Sequence, residues 1–407
     1  MRTSRKVFAA AILASAILTS GTTSMAAASD TVTIGFTVSE TGPLNVDSLA
    51  QLHGFELWRD QVNAAGGLKV GNAKYKIKFV TYDDQSKSER VQQLYSRLIL
   101  QDNADFLFSP YSSNLTATAA IISEQYGKVM LTTGAAEDKT YELGNHGLFQ
   151  MYTPATHYLS SAMAVIKQKD PKAKVAVAYS DDGFSKAVAG AAKEEAKRLG
   201  QPVVLDEAYA PGTTDFGPII NKMISAKADA MVGGGHYADG ATLARQMYDQ
   251  KAPMKFICLL VAPDSPQFAS LGDAAVGVAV PSQWEPSAAY KPDFGPDGAA
   301  FGKAFKDKFG NEASYHAAGG YAAGLILQHA IEKAGSIDSA KVIQALDATD
   351  VSIFYGRVKF ATDAQHHGLQ IGHEMVLAQW QKKGGQLTKE VVWPAAAQTA
   401  PLLYPLH

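Results

Sequence analysis

The sequence predicts an α/β fold of two doubly wound lobes, each a parallel sheet with helices on both faces. Three observations carry this. Short β-rich runs alternate strictly with stretches of helical apolar spacing over residues 31–152. The alternation then restarts and continues to residue 261. No low-complexity linker separates the two series, so short crossings join the lobes. With 407 residues the chain is long enough for two domains and a sizeable core.

The elements follow in order. Residues 31–38 (TVTIGFTV) read as a strand broken by Thr41, Gly42 and Pro43. Residues 48–65 have helical spacing and end at Gly66 and Gly67. A strand at 75–82 closes on Asp83 and Asp84, and a helix covers 91–100. The run FLF at 106–108 stops at Ser109, Pro110 and Tyr111. Ser112, Ser113 and Asn114 are good N-caps for a helix over 116–127. The next strand, 129–132, ends in Thr133, Gly134, Ala135 and Ala136.

A strand at 148–152 opens the second series. Helices are predicted there at 155–167, 185–199, 216–226 and 238–250. Strands are predicted at 174–179, 203–208, 230–232 and 256–261, the third ending in three glycines. The later part is less regular. It reads as a strand at 279–284, a Pro-rich loop, helices at 298–309, 316–334 and 339–347, and strands at 353–360, 373–381 and 391–393.

Compartment follows from the N-terminus. Arg2, Arg5 and Lys6 precede an apolar run at 7–18, and Ala26, Ala27 and Ala28 offer a cleavage site, so residues 1–28 read as a secretory signal. The run is too short to span a bilayer comfortably. No cysteine at the cleavage point indicates a lipid anchor. The formal charge of −2 and pI of about 6.6 leave no basic field for nucleic acid or an anionic membrane. The single cysteine, Cys258, permits no intramolecular disulfide and falls in a core-strand pattern. An exported periplasmic product, folded by burial alone, is expected.

Both breaks around residues 109–113 and 133–136 fall where predicted parallel strands end, which is where such sheets bind ligands. Ser112 and Ser113 supply hydroxyls at a helix N-terminus, and Gly134, Ala135 and Ala136 allow close approach to the backbone. Together they form a candidate carboxylate cradle. Ordinary capping beside a strand end remains the plainer reading. His236 follows three glycines at a strand end and is a candidate donor in a cleft. The loop histidines His366, His367 and His373 are read as solvated, and no metal or other cofactor is expected. Asp83, Asp84, Asp181 and Asp182 are read as capping or cleft-edge residues.

These residues carry a resemblance. The chain resembles bacterial periplasmic solute-binding proteins of type I fold, the leucine/isoleucine/valine-binding group of ABC importers. The likeness rests on IGFTVSETGPL at 34–44, NAAGGL at 63–68, YDDQS at 82–86, YSS at 111–113 and DFGPII at 215–220. GGGHYADG at 233–240, EKAGSID at 332–338 and FYGRVKF at 354–360 add to it. It implies two lobes, residues 29–151 with 283–374 and 152–282 with 375–407, joined by three hinge crossings. It also implies a ligand trapped by hinge closure, delivery to an inner-membrane permease, and a monomer.

The resemblance places the ligand carboxylate on Ser112 and on backbone amides at Gly134 and Ala136, where the family usually has a threonine at the latter. Family tyrosines match Asp47 and His236, and another aromatic matches Phe184. Tyr152 and Trp284 lie near crossings and either stack on a ligand or seal the hinge. The family's ammonium-holding acid matches Leu260, inside an apolar run. A buried ammonium stripped of its partner costs about 3–5 kcal/mol. So the ligand is a 2-oxo or aromatic acid without an ammonium, or an amino acid whose ammonium Asp47 holds. A secreted enzyme using the same cleft is the reading from another class. No G-x-S-x-G elbow, P-loop, H-E-x-x-H or dinucleotide fingerprint supports it, and a non-enzymatic carrier is expected.

Overall fold

The computed structural model describes residues 31–288 and 290–406, so the proposed signal at 1–28 lies outside the described residues. The first sheet is built from β1 (Thr31–Val38), β2 (Leu68–Val70), β3 (Ala73–Asp83), β4 (Phe106–Phe108), β5 (Met130–Thr132) and β6 (Leu148–Gln150). Its order is β2-β3-β1-β4-β5-β6. Three helices alternate with these strands: α1 (Asn45–Ala64), α2 (Ser88–Leu100) and α3 (Ser113–Gln125). All pairings are parallel except β2 with β3. The interior strands are apolar on both faces, with Phe106, Leu107 and Phe108 fully buried, as a sheet covered on both sides requires.

Next come α4 (Ser160–Lys169), β7 (Val175–Ser180), α5 (Gly183–Leu199), β8 (Val203–Tyr209), α6 (Gly217–Ser225), β9 (Ala230–Gly234), α7 (Tyr237–Asp249), β10 (Phe256–Leu259) and β11 (Val278–Ser282). The chain then adds α8 (Gly298–Phe309), α9 (Tyr315–Ala334) and α10 (Ser339–Asp347). It finishes with β12 (Asp350–Ile353), β13 (Gly356–Lys359), β14 (Val376–Lys383) and β15 (Gln386–Trp393). The second sheet has the order β15-β14-β11-β10-β9-β7-β8.

Three expectations are corrected here. The second sheet is not wholly parallel, because β14 runs antiparallel to β11 and β15 antiparallel to β14. A tight turn at Gly384 and Gly385 forces that hairpin. The predicted strand at 353–360 is the second arm of a separate β12–β13 hairpin that turns at Phe354 and Tyr355. The helix expected at 155–167 is split into a 3-10 turn at Ala155–His157 and α4.

The chain passes from the first sheet to the second after β6, returns after β11 and passes again before β14. The three passages are tied together. Thr153 N–H donates to Gln283 Oε1 at 3.0 Å, and the Thr153 hydroxyl meets His373 Nδ1 at 2.7 Å. His373 Nε2 lies 2.9 Å from the Tyr355 carbonyl. Burial pushes the His373 imidazole down to about 4. It is therefore neutral near pH 7, with Nε2–H donating to Tyr355 and Nδ1 accepting from Thr153.

α1 lies against α9 closely enough that only glycine fits at the crossing. A Cβ on Gly54 would sit 2.0 Å from the Ala317 carbonyl oxygen, and one on Gly320 would sit 2.4 Å from that of Gln51. This contact sets the site-facing ends of both helices beside each other. No helix among the described residues is long and apolar enough to cross a membrane.

Candidate functional site

The site forms where the carboxyl ends of β4 and β5 face those of β7, β9 and β10. After β4 the chain turns through Ser112, the N-cap of α3, whose Oγ accepts from Leu115 N–H at 3.3 Å. Ser112 has φ of 86°, a left-handed conformation unusual for a non-glycine residue. Its N–H donates to the Gly134 carbonyl at 3.2 Å, tying the two chain reversals together. Ser113 Oγ accepts from Glu137 N–H at 3.1 Å.

After β5 the carbonyls of Gly134, Ala135 and Ala136 are all engaged. That of Ala135 accepts from the Tyr141 hydroxyl and the Gln150 side-chain amide, and that of Ala136 from Ala155 N–H. Among the described residues, no acceptor takes a hydrogen bond from the N–H of Gly134, Ala135 or Ala136. Gly134 also meets its neighbours closely. A Cβ there would lie 2.6 Å from Tyr111 Cδ2 and 2.7 Å from Gln51 Oε1.

Four direct bonds join the lobes around this point. Tyr111 Oη and His236 Nδ1 are 3.0 Å apart. Tyr237 N–H donates to Asp47 Oδ2 at 3.3 Å, Gly183 N–H to Asn114 Oδ1 at 3.3 Å, and Tyr315 N–H to Asp264 Oδ2 at 2.8 Å. A cavity of about 490 Å³ opens at the same junction, with Ser112, Ser113 and Asn114 on one wall and Asp182, His236 and Asp239 on the other. That volume falls in the range of small-molecule sites.

Buried aromatic rings pack at this junction. Tyr111 packs edge-on to His236 and His316, with centroids 5.5 and 5.1 Å away. Tyr152 packs against Tyr315 at 5.6 Å, and Phe184 against Tyr158 at 5.1 Å. The Tyr152 hydroxyl and Gln51 Oε1 are buried without a hydrogen-bond partner.

Two buried carboxylates stand here, 4.0 Å on either side of His316 Nδ1. Burial drives Asp47 up to about 7, opposed by His236 and the Tyr237 amide. Burial also raises Asp264, opposed by Lys389. Lys389 Nζ reaches Asp264 Oδ1 at 2.7 Å and Glu285 Oε1 at 2.9 Å. His316 is held well below its ordinary value by burial, with His236 and Lys389 adding to the effect.

The structure thus brings Asp47, Ser112, Ser113, Gly134, Tyr152, Phe184 and His236 to one junction, with Ala135 and Ala136 beside them. It does not bring Trp284 or Leu260 there. The Trp284 ring packs on Phe301 and Phe354, at 5.3 and 5.9 Å, in the apolar core next to a crossing. Leu260 is fully buried in that core. The acidic side chain at the end of β10 is Asp264, four residues further on. Sequence reasoning missed Tyr111, Gln51, Asp264 and His316 as site residues. A Ser314 cap two residues before His316 was an available signal, since it puts the imidazole in the first turn of α9.

The other candidates resolve simply. Asp84 accepts from Thr37 and Ser39 hydroxyls, and Asp182 caps α5 through Ser185 N–H. His366 pairs with Asp363 and His367 with Asp347. Among the described residues, no group of three or more His, Cys, Asp or Glu side chains could hold a metal.

With this geometry in place, comparison with known proteins is informative. A family model described as periplasmic binding protein matches residues 31–386. An amino acid binding protein from Pseudomonas aeruginosa is 26% identical over 388 residues, covering 94% of this chain and 98% of that protein. The fold is shared with the branched-chain amino acid transporter substrate binding protein LivJ from Streptococcus pneumoniae in complex with isoleucine. Identity there is 23%, TM-score 0.75, and coverage 89% of this chain and 100% of that one. An ABC transporter solute binding protein from Rhodopseudomonas palustris in complex with 3,4-dihydroxybenzoic acid gives 20% identity and TM-score 0.76, covering 90% and 98%. The chain belongs to the periplasmic binding protein family.

Proposed function

We propose that the chain is the exported, periplasmic substrate-binding component of an ABC importer, which captures a small carboxylate between its lobes and delivers it to an inner-membrane permease. The observation that supports this most is the set of unpartnered N–H groups at Gly134, Ala135 and Ala136 beside the strained cap residue Ser112. An oxyanion there gains hydrogen bonds that no protein group supplies, and the N-terminus of α3 favours negative charge. Phe184 and His236 of the second lobe cover the far end. A ligand touching both walls binds the closed form better than the open one, so binding shifts the population toward closure.

The buried aromatic cluster of Tyr111, Tyr152 and Phe184 at the junction supports an aromatic or branched acid. Asp47 supports a second reading, an amino acid whose ammonium meets that carboxylate; its burial beside the cradle is the observation that favours it. The P. aeruginosa relative named for amino acids and the R. palustris neighbour holding a dihydroxybenzoic acid bracket these two choices. The test is a thermal-shift panel of amino acids, 2-oxo acids and aromatic acids, each beside its methyl ester. Binding to the folded state raises the melting temperature by mass action. An acid should stabilise and its ester should not; equal stabilisation by both refutes the cradle.

A further inference from the structure

We propose that Gln51 reads the substituent next to the ligand's carboxylate and selects acids that carry a hydrogen-bond donor there, a 2-amino or 2-hydroxy group, over 2-oxo acids. The inference rests on the carboxylate reading above. Gln51 lies on α1, one turn after Asp47, and is 2% exposed. Its orientation is set by its own amide, since Nε2 donates to the Ser109 carbonyl at 3.0 Å. The other end, Oε1, therefore faces away from Ser109. It is buried with no partner, and lies 2.7 Å from the point where a Gly134 Cβ would stand.

A buried carbonyl oxygen left unsatisfied is costly, and this one can only accept. The cradle beside it offers donors to a carboxylate. A group on the adjacent carbon that donates completes the set, whereas a 2-oxo group presents a second acceptor and leaves Gln51 Oε1 unpaired. Asp47, four residues earlier on the same helix face, is a further acceptor. A Cβ at Gly134 would crowd Tyr111 Cδ2 and Gln51 Oε1, so only glycine leaves the Gln51 oxygen where it stands.

The test is calorimetry with matched acids on one carbon skeleton, carrying 2-amino, 2-hydroxy or 2-oxo groups. The full chain should bind a donor-bearing acid about tenfold or more tightly than the oxo acid, the equivalent of one hydrogen bond. Gln51→Met removes the acceptor at similar volume and should collapse that ratio to within about threefold. Its unliganded melting curve checks that it folds. Equal binding of all three acids by the unaltered chain overturns the proposal, as does an unchanged ratio in Gln51→Met, which would mean that a fixed water satisfies the oxygen. Binding of none of the acids would instead sink the carboxylate reading, and this proposal with it.

Discussion

Asp47 and Asp264 are both buried carboxylates within 4.0 Å of the same imidazole nitrogen, yet their surroundings differ in kind. Asp264 has a lysine at 2.7 Å, a second carboxylate sharing that lysine, and the first amide of α9. Its charge is neutralised within the protein. Asp47 has an amide from the opposite lobe and no lysine or arginine beside it among the described residues. The difference teaches which acid is structural. Asp264 anchors the second lobe to the first, and Asp47 is left to a proton or to a ligand.

The largest effect comes from breaking the paired side. Lys389→Met strands Asp264 and Glu285 together in the core, and should cost about 3–5 kcal/mol in denaturant unfolding. The unpaired side behaves oppositely. Asp47→Asn removes a buried acid that resists ionisation, so stability above pH 7 should hold or rise. The same change should weaken an amino-acid ligand by about 1.5–3 kcal/mol in calorimetry while sparing one without an ammonium. Ser112→Ala separates the anion grip from Asp47. It should cost about 1.5–3 kcal/mol in affinity for acids of both kinds, with a further loss of about 1 kcal/mol in folding stability from the missing cap.

Acidity gives the most diagnostic effect. Asp47 is raised from 3.8 to about 7, so between those values the folded state holds a proton that the unfolded state has lost. Its contribution to stability is present at low pH and falls as pH rises toward 7. His373 is lowered from 6.5 to about 4, so the hinge loses stability as pH falls through that window. Asp47→Asn should flatten the first slope and leave the second, read as melting temperature against pH.

Much of this fold was legible because strand and helix periods alternate cleanly. Residues 31–38 and 298–309 read as they stand in the structure, and one of the three cap candidates, Ser112, caps α3, which starts three residues before the expected 116. What was hidden depends on contacts between distant segments. Nothing local in 353–360 says that residues 356–359 pair back on 350–353, or that 376–393 folds as an antiparallel hairpin on a parallel sheet. The cradle was visible because small and hydroxyl residues cluster at chain reversals. Gln51 and His316 were not, since each sits on a helix that reads as core and becomes a site residue only where α1 crosses α9. At Leu260 the structure has a fully buried apolar residue, and the acid that follows β10 stands four residues on, at Asp264.

The most direct measurement is a crystal structure of the chain with its tightest acid from the panel. The account predicts a carboxylate in hydrogen-bonding reach of Ser112 Oγ and of the N–H groups at 134–136, with Phe184 and His236 closed over the other end. A ligand bound in the interlobe gap with its anionic end turned away from those groups, or with no anionic end, contradicts it.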